Sequence, residues 1–268
     1  MALDLRDVWV LVTGASSGLG AAMARTLVGK HGARVLLTAR RSDRLEALAR
    51  ELDPTGQKTA TVTADLAVDA DVDRMLDAAV ARDVGGAVLT AGSYWFGEFS
   101  TMEPDAVDTL LAVDIRAPLR CARRLLPHLD GRGRGGVMFV ASTGSFMPTP
   151  RQAVYGGAKG FLLHFARSLH YERGGRDNPV HVTLACPGGM PTEMLQNSPV
   201  REVLARNRVV SAMMMSPEAV AEACLAAWIR GDPEVVPGTM NRAMVAFSRM
   251  LSLDRLGHGA AKVYDPDR

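Results

Sequence analysis

Residues 8–20 constrain this chain more than any other stretch. Val8-Trp-Val-Leu-Val-Thr13 is a short apolar, β-branched run, the pattern of a parallel strand buried on both faces. It leads into Gly14-Ala-Ser-Ser-Gly18-Leu-Gly20 and then into the helical spacing Ala21, Met23, Ala24, Leu27 and Val28. Strand, glycine turn and helix in that order make a dinucleotide site: glycines let the backbone turn tightly and approach a pyrophosphate, whose charge sits at the helix N-terminus. Gly14, Ser16, Ser17, Gly18, Leu19 and Gly20 are therefore candidate cofactor-binding residues. No Gly-Lys-Ser/Thr follows, so the loop lacks the lysine of an ATP-binding P-loop.

The rest of the chain alternates in the same way. Strands are expected near 8–13, 33–39, 58–64, 85–90, 136–141, 180–186 and 233–236, and helices near 18–30, 42–52, 69–81, 103–129, 152–173 and 216–231. This implies a Rossmann-like α/β domain, a doubly wound parallel sheet with helices on both faces and the cofactor along the carboxyl ends of the strands. The 268 residues suit one such domain. Residues 1–238 would carry the dinucleotide-binding and catalytic part, and 239–268 an amphipathic helix and tail of the same domain. Gly131-Arg-Gly-Arg-Gly-Gly136 reads as a flexible turn, not a linker. A formal net charge of +2 gives no general argument for nucleic-acid or membrane binding. Cys121, Cys186 and Cys224 are widely separated and show no metal-ligand spacing. With no signal-like apolar N-terminus, they lead to the expectation of a cytoplasmic protein without a metal.

Tyr155-Gly-Gly-Ala-Lys159, with Ser142 thirteen residues upstream, carries the chemistry. Tyr and Lys four apart share a helix face. A cation beside a phenol stabilises phenolate and so lowers its pKa, tuning the hydroxyl toward proton exchange. Ser142, at the end of a strand, is placed to hydrogen-bond the same substrate oxygen.

Together these residues resemble the short-chain dehydrogenase/reductase family, over roughly Asp4 to Pro237. Thr13-Gly14-x-x-x-Gly18-x-Gly20 is similar to the family's cofactor loop. Asp65-Leu66 is similar to its adenine-side acidic residue, and Thr90-Ala91-Gly92 stands where Asn-Ala-Gly is usual. Ser142, Tyr155 and Lys159 match the catalytic residues, and Pro187-Gly188-x-x-x-Thr192 the segment that reaches the nicotinamide amide. The resemblance implies that Asp65, Leu66, Ala91, Gly92, Pro187, Gly188 and Thr192 join Tyr155 and Lys159 in holding the cofactor. It also implies a homodimer or homotetramer. The family's usual active-site Asn, which helps hold a helix distortion and a water beside the lysine, is replaced by Asp114. Asp114 either still holds that water or, by pairing with Lys159, weakens the lysine's effect on Tyr155.

Cofactor choice rests on the end of the second strand. An acidic residue about 20 positions after the glycine loop would bind a ribose 2′-hydroxyl and repel a 2′-phosphate. Here Arg34-Val-Leu-Leu-Thr-Ala39 ends in Arg40-Arg41. A guanidinium suits a phosphate, so NADP(H) is expected, with Arg40 as its partner and Ser42 capping the next helix.

The variable segments carry substrate recognition. Tyr94, Trp95, Met147, Met190 and Met194 are candidate contacts for an apolar ketone or secondary alcohol; core packing explains the methionines equally well. Arg116, Arg120, Arg123 and Arg124 recur at helical spacing, as either a docking face for an acyl-carrier protein or a solvated or subunit-interface face. Met240, Met244, Val245, Phe247, Met250 and Leu251 form an amphipathic pattern for core or subunit packing or for peripheral membrane contact. The expected activity is NADP(H)-dependent carbonyl reduction or alcohol oxidation. A carrier-linked 3-oxoacyl reductase and a low-turnover NADP(H)-binding sensor or assembly protein are the alternatives.

Overall fold

The structure, a computed structural model, describes residues 2–196, 198–201 and 208–264. Seven parallel strands among these residues form one sheet in the order β3-β2-β1-β4-β5-β6-β7. They are β1 (Trp9–Thr13), β2 (Arg34–Ala39), β3 (Thr59–Thr63), β4 (Gly86–Leu89), β5 (Gly135–Val140), β6 (Val180–Ala185) and β7 (Glu234–Val235). β1, β2, β4, β5 and β6 are almost wholly buried, as continuous apolar runs under helices should be. The chain winds to one side through β3 and returns to place β4 against β1 in parallel register. A crevice opens where the winding reverses, at the carboxyl ends of β1 and β4, the usual place for a ligand in such sheets. Thr90 ties those two ends together, its hydroxyl donating to the Thr13 carbonyl while Ala91 N–H donates to Thr13 Oγ1 at 3.1 Å.

Helices α1 (Gly18–His31), α2 (Ser42–Leu52), α3 (Asp69–Ala81), α4 (Pro104–Leu111), α5 (Ala117–Arg132) and α6 (Ala153–Glu172) fill the crossovers. They are followed by α7 (Glu193–Gln196), α8 (Arg208–Met213), α9 (Pro217–Arg230), α10 (Thr239–Ser248) and α11 (Leu253–Val263). Two apolar cores result: one joins the sheet to α3, α5 and α6, the other to α1, α2 and α9. Trp228 of α9 is fully buried in the second. It lies on the sheet because Gly86 and Gly136 carry no side chain, and a Cβ on either would stand 2.6 Å from its ring. Ser216 caps α9 by accepting from Ala219 N–H at 3.2 Å, and Gly231 ends it in the left-handed conformation (φ 74°).

Three local expectations are corrected. The long helix over 103–129 is broken by a π-turn at Ala112–Arg116. Pro118 has no N–H to donate to the Asp114 carbonyl four residues back, which loosens the helical ladder there. Ser42 does not cap α2; Arg41 holds the cap position with extended backbone and no side-chain cap. The tail is not one helix: Ser252, accepting from Arg255 N–H, starts a second helix, α11, after α10. Val245 and Asn241 of α10 are buried, whereas Phe247, Met250 and Leu253 are exposed and α11 buries none of its residues. Residues 265–268 of the expected tail lie outside the described residues.

Three of the arginines on the central helix, though partly exposed, are paired with carboxylates. Arg116, Arg120 and Arg124 pair with Asp69, Asp73 and Asp77 of α3, the nearest contacts being 2.5–3.3 Å. Two rows at four-residue spacing meet, and much of the basic face proposed for a carrier protein is neutralised within the chain. Cys121, Cys186 and Cys224 are free and buried, and burial pushes the thiols of Cys121 and Cys224 up to about 12. Among the described residues no helix is long and apolar enough to cross a membrane, and no His, Cys, Asp and Glu group could hold a metal.

Candidate active site

A cavity of about 850 Å³ runs along the carboxyl ends of β1, β2, β4 and β5 and reaches the 187–199 segment. The glycine loop forms one side. Gly14 turns at φ 66°, and a Cβ on it would stand 2.9 Å from Ala91 Cα. A Cβ on Gly20 would strike the Gly14 carbonyl oxygen. Only glycines let this loop pack so tightly against the ends of β1 and β4, and its residues line the cavity at the N-terminus of α1, where a dinucleotide pyrophosphate fits. Ser16, Ser17, Gly18 and Leu19 line the same side. Asp65 and Leu66 follow β3 and line the wall beyond it. The Asp65 carboxylate accepts from Ala67 N–H at 2.9 Å, holding the turn.

Ala91 and Gly92 form the floor after β4. A Cβ on Gly92 would stand 3.2 Å from Asp114 Oδ1, 3.4 Å from Lys159 Nζ and 3.9 Å from Met194 Cε. Opposite, Pro187, Gly188 and Thr192 close over the cavity. The Pro187 carbonyl accepts from Thr143 N–H at 2.9 Å. Thr192 lies on the glycine loop, its Cγ2 3.1 Å from where a Gly18 Cβ would be. Gly188 gives room to the buried Asn241 of α10, whose Nδ2 donates to the Pro237 carbonyl at 3.0 Å and the Met213 carbonyl at 3.3 Å.

Ser142, Tyr155 and Lys159 come together on this floor. Ser142 follows β5, caps the short turn Thr143–Phe146 by accepting from Gly144 N–H at 3.1 Å, and sits close enough to Tyr155 to lower its phenol pKa. Lys159 is buried one helical turn beyond Tyr155, with Nζ 5.6 Å from the phenol ring centroid. Its ammonium donates to the Val140 carbonyl at 3.2 Å and lies 2.6 Å from Asp114 Oδ1. Asp114 is fully buried in the π-turn and also accepts from Ser93 N–H at 2.6 Å. The turn therefore aims Asp114 at both the strand-end loop and the lysine.

This pairing corrects the expected electrostatics. Burial pushes the Tyr155 phenol up; Lys159 pulls it down, Asp114 pushes it up again and the Ser142 hydrogen bond lowers it, with a net rise. An ammonium neutralised by a carboxylate at 2.6 Å acts on the phenol as a dipole rather than a full charge. Burial also works against the Lys159 ammonium, but Asp114 holds its pKa above the ordinary lysine value. At neutral pH this arrangement keeps Tyr155 protonated and Lys159 charged.

The candidate substrate walls divide. Tyr94, Trp95, Met190 and Met194 line the cavity, and the Tyr94 ring stands edge-on to Tyr155 with centroids 5.0 Å apart. Met147 lies outside the cavity lining. Met215 is tied by its N–H to the Gly189 carbonyl, and Met190 packs against the α1–α9 core as well as lining the cavity.

At the β2 end, Arg40 is exposed on the cavity rim, whereas Arg41 turns inward. Arg41 donates to Ser16 Oγ at 3.1 Å and Ser17 Oγ at 3.0 Å, and to Glu193 Oε2 at 2.9 Å. Arg44 donates to both Glu193 oxygens at 2.9 Å. Arg44 and Glu193 were not expected from the sequence, and of the Arg40-Arg41 pair only Arg40 had been singled out. The tandem Arg40-Arg41 carried the charge signal but not the direction of either side chain.

Residues 8–202 match the family model described as short chain dehydrogenase, and the chain belongs to this family of nicotinamide-dependent oxidoreductases. It is 32% identical over 240 residues to the A-factor type gamma-butyrolactone 1'-reductase (1S-forming) of Streptomyces virginiae, covering 84% of this chain and 89% of that one. Among solved structures it is similar to a short-chain dehydrogenase from Sphingobium yanoikuyae in complex with NADPH, with 26% identity and a TM-score of 0.74 over 91% and 94% of the two chains. It is also similar to a 3-ketoacyl-(acyl-carrier-protein) reductase from Brucella melitensis complexed with NADH, with 25% identity and a TM-score of 0.75 over 88% and 99%.

Proposed function

We propose that the protein is an NADP(H)-dependent carbonyl reductase or alcohol dehydrogenase for an apolar ketone or secondary alcohol. The observation that carries this reading is the convergence of Ser142, Tyr155 and the Lys159–Asp114 pair on one cavity with the glycine loop. The bound nicotinamide supplies or accepts the hydride. Gly14, Ser16, Ser17, Gly18, Leu19 and Gly20 would hold the pyrophosphate side, Asp65, Leu66, Ala91 and Gly92 the adenosine side and floor. Pro187, Gly188 and Thr192 would hold the nicotinamide amide, and Lys159 its ribose.

The substrate oxygen would sit between the hydroxyls of Ser142 and Tyr155. As the carbonyl is reduced, negative charge builds on that oxygen; both hydroxyls stabilise it and Tyr155 delivers the proton. The phenolate left behind lies beside the Lys159 ammonium, and Asp114 keeps that ammonium charged. At neutral pH Tyr155 is in the phenol form that reduction uses, and its raised pKa makes the phenolate that oxidation needs scarcer, so oxidation is expected to call for higher pH. Tyr94, Trp95, Met190 and Met194 supply an apolar wall around the carbonyl substituents. NADP(H) is favoured over NAD(H) by the arginines after β2, with Arg41 rather than Arg40 directed at the cofactor side. A similar protein bound to NADH and one bound to NADPH leave the fold neutral on that point.

Carrier-linked 3-oxoacyl reduction is less favoured, since Arg116, Arg120 and Arg124 already have carboxylate partners on α3. The test is oxidation of NADPH and of NADH by wild type and Tyr155→Phe across apolar ketones and 3-oxoacyl thioesters. Ketone turnover with NADPH that is lost in Tyr155→Phe supports the reading. Turnover confined to the thioesters, or unchanged in the variant, rejects it.

A further inference from the structure

We infer that Glu193 is a built-in competitor for the arginines that would receive the cofactor's 2′-phosphate, and that this competition governs the position of Met194 in the substrate cleft. The inference rests on the NADP(H) reading above and extends it from the adenosine end of the cavity to the reacting end.

Arg41 and Arg44 stand at the start of α2, and Glu193 begins α7, about 150 positions later. The three side chains form one cluster. Glu193 receives hydrogen bonds from both guanidinium groups, each at 2.9 Å, while the other arm of Arg41 rests on the hydroxyls of Ser16 and Ser17. Arg41 thus spans from the glycine loop to the substrate segment. Their side chains are 40%, 44% and 35% exposed, so a dissolved anion can reach the cluster. The two arginines hold the Glu193 carboxyl below the usual carboxylate range, so it stays ionised through neutral pH.

The cluster is not charge-balanced. Two guanidinium groups face a single carboxylate, leaving about one positive charge in excess. A phosphate monoester carries about −1.5 to −2 at neutral pH and three acceptor oxygens, and planar guanidinium groups grip it through paired charge-assisted hydrogen bonds. It therefore outmatches a carboxylate for the same donors. A nucleotide without the 2′-phosphate gives Arg41 and Arg44 no reason to release Glu193.

Release has a consequence at Met194, which lines the same cavity. This residue follows Glu193 directly, and its Cε reaches the floor at Gly92, where Asp114 and Lys159 also converge. Thr192, on the other side of Glu193, rests on Gly18. The Glu193 tie therefore pins a segment that touches both the glycine loop and the floor beside the catalytic pair. When the phosphate takes the arginines, that tie is lost and Met194 is free to withdraw. Linkage makes the coupling reciprocal: whatever displaces Met194 from the floor also eases 2′-phosphate binding.

Calorimetric titration with adenosine 2′,5′-bisphosphate and with adenosine 5′-monophosphate tests this without turnover. Glu193→Gln is expected to tighten the bisphosphate by about fivefold or more, within the usual range of coupling between sites, while leaving the monophosphate unchanged. Arg41→Gln is expected to remove the bisphosphate preference in both backgrounds. Equal tightening of both ligands by Glu193→Gln would overturn the competition. So would a wild-type bisphosphate preference that Glu193→Gln leaves unchanged, an outcome under which the NADP(H) reading survives. If wild type and Glu193→Gln both bind the two nucleotides alike, the NADP(H) reading itself fails. Backbone amide exchange over 192–196 supplies the second readout. It should rise with the bisphosphate and not with the monophosphate; no change would sever the link to Met194.

Discussion

Tyr155 draws its reactivity from two neighbours that act against each other. Lys159 lowers the phenol's pKa and Asp114 raises it, so Asp114→Asn should lower it. The rising limb of kcat/KM against pH for alcohol oxidation, which requires phenolate, should then move to lower pH. An unmoved limb would show that Asp114 does not act through Tyr155. Tyr155→Phe keeps the ring against Tyr94 but loses the proton donor, and about 10²–10⁴-fold of turnover should disappear while nucleotide binding by calorimetry persists. Asp114→Ala is a harsher change, since it leaves a buried ammonium without its carboxylate. Breaking a buried pair in this way costs about 3–5 kcal/mol, readable in urea unfolding, where Asp114→Asn should lose less. At this scale the sequence told much of the story. Tyr155 and Lys159 are one helical turn apart, so local geometry brings them together, and Ser142 at the end of β5 meets them where α6 packs over that strand end. Which of the tandem Arg40 and Arg41 reaches the glycine loop was not legible in the sequence, because adjacent residues point apart and Arg41's partners, Ser16 and Glu193, belong to distant elements.

The elements differ in how they announce themselves. β1, β2, β5 and β6 are continuous apolar or β-branched runs, which only a doubly covered sheet accommodates, and their limits were legible to within a residue or two. The family resemblance at Asp114 implied a distortion between α4 and α5, but the helical spacing of Ala112 to Arg116 hid that the helix breaks there. The α3–α5 ladder shows the same limit: the arginine period was visible, whereas the matching aspartates lie on a helix whose docking is tertiary. That ladder is exposed and mutually solvated. Arg120→Glu, which sets like charges beside Asp69 and Asp73, should lower stability modestly, and the loss should shrink as salt is added. Thermal melts at low and high salt read this directly. The contact between α9 and the sheet is of another kind. Trp228→Ala empties the space over Gly86 and Gly136 and should cost about 3–5 kcal/mol, with no salt dependence, in the same denaturation series.

Across the whole molecule, the two C-terminal helices play unequal parts. α11 itself buries no residue, but Tyr264 at its end packs on the cavity-lining Phe96, so a chain ending at Leu251 should melt about 4 °C or more below the full one. Ending the chain at Gly238 is different, because Asn241 then no longer fills the space beside Gly188 or joins Pro237 to Met213. That variant should raise the KM for NADPH along with its loss of stability, and an unchanged KM would separate α10 from the site. The strand order carries one more consequence, for synthesis. β1 is made first, yet its second neighbour, β4, is complete only at Leu89, and Thr90 then fastens the two ends. Until that point one edge of β1 has no partner, and an open apolar edge is a template for pairing with other chains. Synthesis that stops before Thr90 would leave a half-built nucleotide crevice with an open strand edge, the kind of intermediate a chaperone shields.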